Sequence, residues 1–155
     1  MDYPNHDELE QFLSTCEEEL LAEKNMRIVV YPDDAVKLWR SETIRDANEK
    51  LLSEFSGTAN VYAIFIADKA NNDYTLKYIG QTKSKLARAR LYNHLIKKDA
   101  KTGAQLSKVM SHVQAGGSIK ISWISINPES LRHYVEEELI NKHQQKLTWN
   151  QQGKK

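Results

Sequence analysis

The stretch "KYIGQTKSKLARARLYNHL", Lys77 to Leu95, decides how this sequence is read. A short β-forming tripeptide, Tyr78-Ile79-Gly80, runs directly into a basic segment that carries Arg88, Arg90 and His94 among apolar residues. The apolar residues Leu86, Leu91, Leu95 and Ile96 recur at helical spacing, so a strand ends here and a helix begins. Arg90 and His94 stand at i and i+4, which puts both on one face of that helix. A phenol, guanidiniums and an imidazole gathered at a strand end and a helix face mark either an ordinary solvated helix that is basic or a site that handles phosphate.

Working outward, "NVYAIFIAD" is apolar and β-branched, a buried strand, and "YTLKYIG" is a second one; "KANND" between them is turn chemistry and makes the pair a hairpin. "GAQLSKVMSHVQ" reads as a further helix ended by "AGG", "SIKISWISI" as a third strand, and "NPESLRHYVEEELINKHQQ" as a helix capped by Asn127 with Pro128 in its first turn. The order is β-β-α-α-β-α. The expected class is α+β, with a small three-stranded antiparallel or mixed sheet flanked by helices.

Ahead of this frame the chain changes character. "PNHDELEQFLSTCEEELLAEKN" is an acidic amphipathic helix, "MRIVVYP" a short strand, and "DDAVKLWRSETIRDANEKLLSEF" a second helix. "SGTA" is a break. We therefore divide the chain into a mostly helical acidic extension, residues 1–56, and a second domain, residues 57–155. The first part holds 14 acidic and 6 basic residues, a balance of −8; the second holds 7 and 16, a balance of +9. Either the two parts neutralise each other in the fold, or the second part meets a polyanion. The extension is read as a dimerisation or partner-binding arm, with a homodimer among the expected partners.

Other classes of function fit less well. The single cysteine, Cys16, excludes an intrachain disulfide and sits in an acidic helix that disfavours a thiolate. The five histidines show no paired Cys/His spacing for zinc, and no glycine-rich phosphate loop precedes a helix. No apolar run approaches a membrane span and no signal peptide is evident, so a cytoplasmic protein is expected.

In order along the chain, "NVYAIF", "KYIG", Arg90-Leu91-Tyr92-Asn93-His94-Leu95, "EEELI" and Trp149-Asn150 resemble a GIY-YIG nuclease domain over about residues 59–150. The first family tripeptide stands here as Asn60-Val61-Tyr62 and the second is intact as Tyr78-Ile79-Gly80. The resemblance implies an endonuclease with Tyr62, Tyr78, Arg90, His94 and Glu136 as catalytic residues and one divalent ion, Mg²⁺ or Mn²⁺, on Glu136. It implies that Tyr62 or its neighbour deprotonates the attacking water and that Arg90 stabilises the added negative charge. Two registers need a decision. Arg88 has the family spacing from Gly80, but its i+4 partner is Tyr92; Arg90 has His94 and the right apolar phase, so Arg90 is the catalytic arginine and Arg88 a second phosphate contact. Leu139-Ile140 selects Glu136, whereas counting back from Asn150 favours Glu137 or Glu138. Gly80, Lys83, Arg88 and Asn150 are the expected substrate-binding residues, with Gly80 letting a phosphate approach the backbone. Double-stranded DNA is the expected substrate, and a free-standing domain of this size fits a restriction-type, phage or mobile-element endonuclease. The alternative is a nucleic-acid-binding module that keeps the fold without cleavage.

Overall fold

Val61–Ala67 is apolar or aromatic at every position, the pattern of a strand covered on both faces, and it forms the middle of the molecule. The structure is a computed structural model and describes residues 1–69, 71–98 and 104–150. Its elements are α1 (His6–Leu21), β1 (Arg27–Ile28), α2 (Asp33–Val36), α3 (Ser41–Ala47), α4 (Glu49–Phe55), β2 (Val61–Ala67), β3 (Thr75–Gln81), α5 (Ala87–Leu95), α6 (Leu106–Gln114), β4 (Ser118–Ile124) and α7 (Leu131–Lys142). Ala70 of the expected turn, Gly103 of the helix expected over "GAQLSKVMSHVQ" and the end of the chain, 151–155, lie outside the described residues. No helix among the described residues is long and apolar enough to cross a membrane.

The fold is α+β, with an antiparallel sheet in the order β1-β4-β2-β3. The expected three strands are thus four. Arg27 and Ile28, from the short run read as a strand in the acidic segment, pair with Ile121 and Lys120 of β4. Alternation along the strands sends Tyr62, Ile64, Tyr78, Ile119 and Ile121 to one face, where they pack with Ile44, Leu52, Phe55, Leu91, Leu95 and Val109. Val61, Ala63, Phe65 and Ile79 go to the other face, under Leu20 of α1 and Val135 and Leu139 of α7. Helices of the first 56 residues therefore cover both faces of the sheet.

The single helix expected over residues 33–55 is three. Trp39 sits in the left-handed region (φ 50°), which breaks the chain after α2. Its indole N–H donates to Ile96 O (2.7 Å), and Tyr31 Oη donates to Leu95 O (2.9 Å). These two carbonyls lie at the C-terminal end of α5, where intrahelical partners run out, so the N-terminal segment caps that helix. Asn48 makes the second break: its side chain accepts from Val30 N–H (2.8 Å) and donates to Val30 O (2.7 Å) and Ile44 O (2.8 Å). A long-range role for one side chain overrides local helix propensity at each break. Helix α7 starts at Leu131 rather than at the expected Asn127 cap, after tight turn bonds from Leu131 N–H to Pro128 O and Arg132 N–H to Glu129 O.

Two further asparagines clasp backbone in the same two-bond way. Asn60 binds the N–H and C=O of Ile126 (2.9 and 2.8 Å), and Asn150 those of Ile79 (2.9 Å each). Asn150 thus satisfies an outer strand, β3, that a second chain could otherwise extend.

Candidate active site

Two aromatic residues on neighbouring strands and one helix face build the site. In the β2–β3 register Tyr62 lies opposite Gly80 and Ile64 opposite Tyr78, so the two phenols share one face of the sheet. A Cβ on Gly80 would stand 2.6 Å from the Tyr62 hydroxyl oxygen. The glycine is buried, and its missing side chain makes room for that hydroxyl. The Tyr62 and Tyr78 ring centroids are 6.2 Å apart, and the His94 ring lies 5.5 and 5.1 Å from them.

Hydrogen bonds give this cluster a direction. The Gln105 backbone N–H donates to His94 Nδ1 (3.0 Å), so the single proton of a neutral imidazole is on Nε2. That Nε2–H donates to Tyr62 Oη (2.7 Å). Burial, and then Arg90, hold the His94 pKa down to about 3, so the ring is neutral at ordinary pH. Having accepted from His94, Tyr62 has its own O–H left to donate, and Tyr78 and Arg90 both lie close enough to act on it. Burial pushes the Tyr62 hydroxyl well above the ordinary phenol range, and Tyr78 adds to this. Burial also raises Tyr78; the Arg90 guanidinium and the Tyr62 hydroxyl favour its phenolate, and the Glu136 charge opposes it. Tyr62 is 0% exposed and Tyr78 9%, so only Tyr78 touches the solvent side of the pair.

Helix α7 supplies the acidic member. Glu136 is half-buried, and burial, then Glu137, push its pKa up to about 7 against Arg132 and Arg90. Arg90 and Glu136 both act on Tyr78, so Tyr62, Tyr78, Arg90, His94 and Glu136 come together. Glu137 is exposed, and Glu138 acts on Tyr134 alongside Glu10 of α1, away from the tyrosine pair. Among the described residues no group of three or more His, Cys, Asp or Glu side chains is placed to hold a metal.

The expected substrate-binding residues disperse. Lys83 is exposed in the turn before α5. Arg88 forms a two-pronged ion pair with Glu49 of α4 (2.8 and 2.9 Å) on another flank of α5. Asn150 is engaged with the Ile79 backbone next to Tyr78. The sequence reading did not include Gln105 or Arg132. Gln105 acts through its backbone, for which its identity gives no signal. Arg132 precedes Glu136 by four residues, and helical spacing places both on one face. A groove lined by Ile28, Val30, Val36, Lys69 and Val113 shares none of these side chains.

Among curated proteins and solved structures nothing matches this chain. A family model does: that of the GIY-YIG catalytic domain, over residues 59–150. The matched span includes both tyrosines, the α5 pair Arg90 and His94, and Glu136. On that match, which covers more than half of the sequence, the chain belongs to the GIY-YIG family and is a nuclease in type.

Proposed function

We propose that this protein is a metal-dependent endonuclease that hydrolyses phosphodiester bonds of double-stranded DNA, with Tyr78 as the base. The observation that carries the reading is the buried cluster in which Gln105 N–H holds His94, His94 holds the Tyr62 hydroxyl, and Tyr78 lies beside Tyr62 (ring centroids 6.2 Å) in reach of Arg90 and Glu136. The excess of basic residues after residue 56 supports a polyanionic substrate. The family background supports a restriction-type or mobile-element nuclease.

The residues fit one divalent ion. Glu136 is a half-buried carboxyl whose pKa is raised because nearby cations do not offset its burial, so a cation there relieves it. A lone carboxylate leaves the other positions to water and substrate phosphate, the habit of Mg²⁺. Such an ion, held by Glu136, supplies charge neutralisation at the phosphate. Tyr78, as its phenolate, takes the proton of the attacking water as the oxygen–phosphorus bond forms; the bond from phosphorus to the leaving sugar oxygen breaks, and that oxygen takes a proton from solvent. Tyr62 donates its O–H to the Tyr78 oxygen and stabilises the phenolate. His94 is a hydrogen-bond donor rather than an acid, because Gln105 fixes its tautomer and burial keeps it neutral. Arg90 stabilises charge developing on the phosphate oxygens.

The test is incubation with supercoiled plasmid in Mg²⁺, Mn²⁺ or EDTA. Nicking or linearisation with metal and none in EDTA is the expected result. Binding without any cutting would instead make the chain a nucleic-acid-binding module on a nuclease fold.

A further inference from the structure

We propose that Arg132 is a second phosphate-binding cation of the cleft, gripping a phosphate beside the scissile one. The proposal rests on the nuclease reading above. Arg132 is only 8% exposed. A charge so far from water is costly unless it is paired. Yet its partners are neutral: Nε donates to Gln81 Oε1 (2.7 Å) and Nη1 to Glu129 O (3.2 Å). None of the ion pairs among the described residues involves it. Nη2 makes no hydrogen bond among these residues and is not sealed from solvent, so it is open to a ligand beside Glu136, one helical turn on.

The guanidinium is also braced. Gln81 follows Gly80 at the end of β3. Glu129, whose carbonyl holds Nη1, uses its carboxylate to accept Ser84 N–H (2.6 Å), which ties the β3–α5 turn to the start of α7. A planar cation fixed at two points with a free edge suits a phosphate, because little side-chain freedom is left to lose on binding. Its place separates it from Arg90. Arg90 acts on both tyrosine hydroxyls, whereas Arg132 is held by Gln81 and the Glu129 carbonyl and neighbours Glu136 one helical turn away. Arg90 therefore serves the reacting phosphate and Arg132 the next one.

The rival explanation is that Arg132 exists only to offset the Glu136 charge. A cycle on the full chain separates the two. Affinity for a short DNA duplex in EDTA is measured over a salt series for wild type, Arg132→Gln, Glu136→Gln and the double variant, each checked for cooperative unfolding. Arg132→Gln is expected to weaken binding about tenfold, the scale of one charge-assisted hydrogen bond. The slope of log affinity on log salt should shrink by about 0.9, one phosphate's share. Both losses should persist in the Glu136→Gln background. An unchanged slope, or losses that vanish when Glu136 is neutral, would overturn the proposal. Should Arg132→Gln unfold, Arg132→Lys decides: the slope is kept while affinity drops several-fold, and unchanged affinity would overturn it. If wild type binds DNA with an Arg132-dependent slope but does not cut in Mg²⁺ or Mn²⁺, the nuclease reading falls while Arg132 stands as a phosphate-binding cation of the cleft. If wild type neither cuts nor binds, both fall.

Discussion

The two parts of this chain differ in charge, yet the fold does not keep them apart. Residues 1–56 carry the acidic excess and none of the catalytic candidates; residues 57–150 carry both tyrosines, Arg90, His94 and Glu136. Still, α1 lies on one face of the sheet and α3 and α4 on the other, and β1 joins the sheet itself. Tyr31 and Trp39 cap the helix that carries Arg90 and His94. Glu17 of α1 pairs with Lys142 and His143 after Glu136 on α7. The contrast teaches that a family motif marks where chemistry happens, not how much chain is needed to hold it in place.

The harshest way to break this comparison is to delete residues 1–56. Leu20, Ile44, Leu52 and Phe55, all fully buried, would be lost, and the sheet faces over them would be exposed. Residues 57–155 alone should show no cooperative thermal transition. Cooperative unfolding together with plasmid cutting by that fragment would prove the first segment dispensable.

Within the second region, Tyr78→Phe should lower the cleavage rate by about 10²–10⁴-fold, the scale for losing a general base. Binding and thermal stability should be nearly kept, since only one hydroxyl goes. Tyr62→Phe should cost less, because it removes a donor to the base and not the base. Wild-type cleavage should rise with pH into the alkaline range, because burial keeps Tyr78 mostly protonated at neutral pH. Rate measurements on the two variants across pH check this ranking; a greater loss in Tyr62→Phe would move the base to Tyr62.

Much of this was legible beforehand, and the reasons for success and failure differ. β2 to β4 and α5 to α7 are marked by apolar runs and spacing that neighbouring residues decide. The i, i+4 pair Arg90 and His94 and the Leu139-Ile140 phase are local too. The fourth strand reads as a strand in "MRIVVYP", but it is two residues long and its partner lies far along the chain, so no pattern announces that it joins this sheet. The breaks at Trp39 and Asn48 exist for distant backbone groups, Ile96 O and the two polar atoms of Val30. Asn60, where the family has glycine, is explained by Ile126, which local sequence does not reveal. Gly80 was expected to admit a phosphate; it admits the Tyr62 hydroxyl, a contact set by strand register.

A smaller effect concerns Glu136 alone. Its carboxyl has an ordinary value near 4.5 and about 7 in the fold. The folded state thus holds the proton more tightly, and the ionised form destabilises it. The penalty is absent below about pH 4.5 and complete above about pH 7. Glu136→Gln should therefore raise the melting temperature at pH 8 and leave it unchanged at pH 4. The gain is about 1 kcal/mol, discounted for the part of the carboxyl that water screens. Mg²⁺ at pH 8 should stabilise wild type and not the variant. Equal melting temperatures at pH 8 would place this carboxyl in better-solvated surroundings.

The finest test asks which region Arg88 serves. It stands on the same helix as Arg90, yet its guanidinium is engaged by Glu49 of the first segment. Both side chains are partly exposed, so the pair should contribute only about 0.2–1 kcal/mol to stability, and less at high salt. A double-variant cycle of Glu49→Ala and Arg88→Ala, read by denaturant unfolding at low and high salt, measures that coupling. DNA affinity gives the second reading. If Glu49 holds Arg88 away from the backbone of DNA, Glu49→Ala frees a cation and removes a repelling carboxylate, so binding tightens. In the Arg88→Ala background only the repulsion is left to remove, so Glu49→Ala gains less there. Arg88 then acts as a phosphate contact held in check by the acidic segment. An equal gain in both backgrounds would make Arg88 a tie between α4 and α5 and nothing more, and would leave phosphate binding on this helix to Arg90.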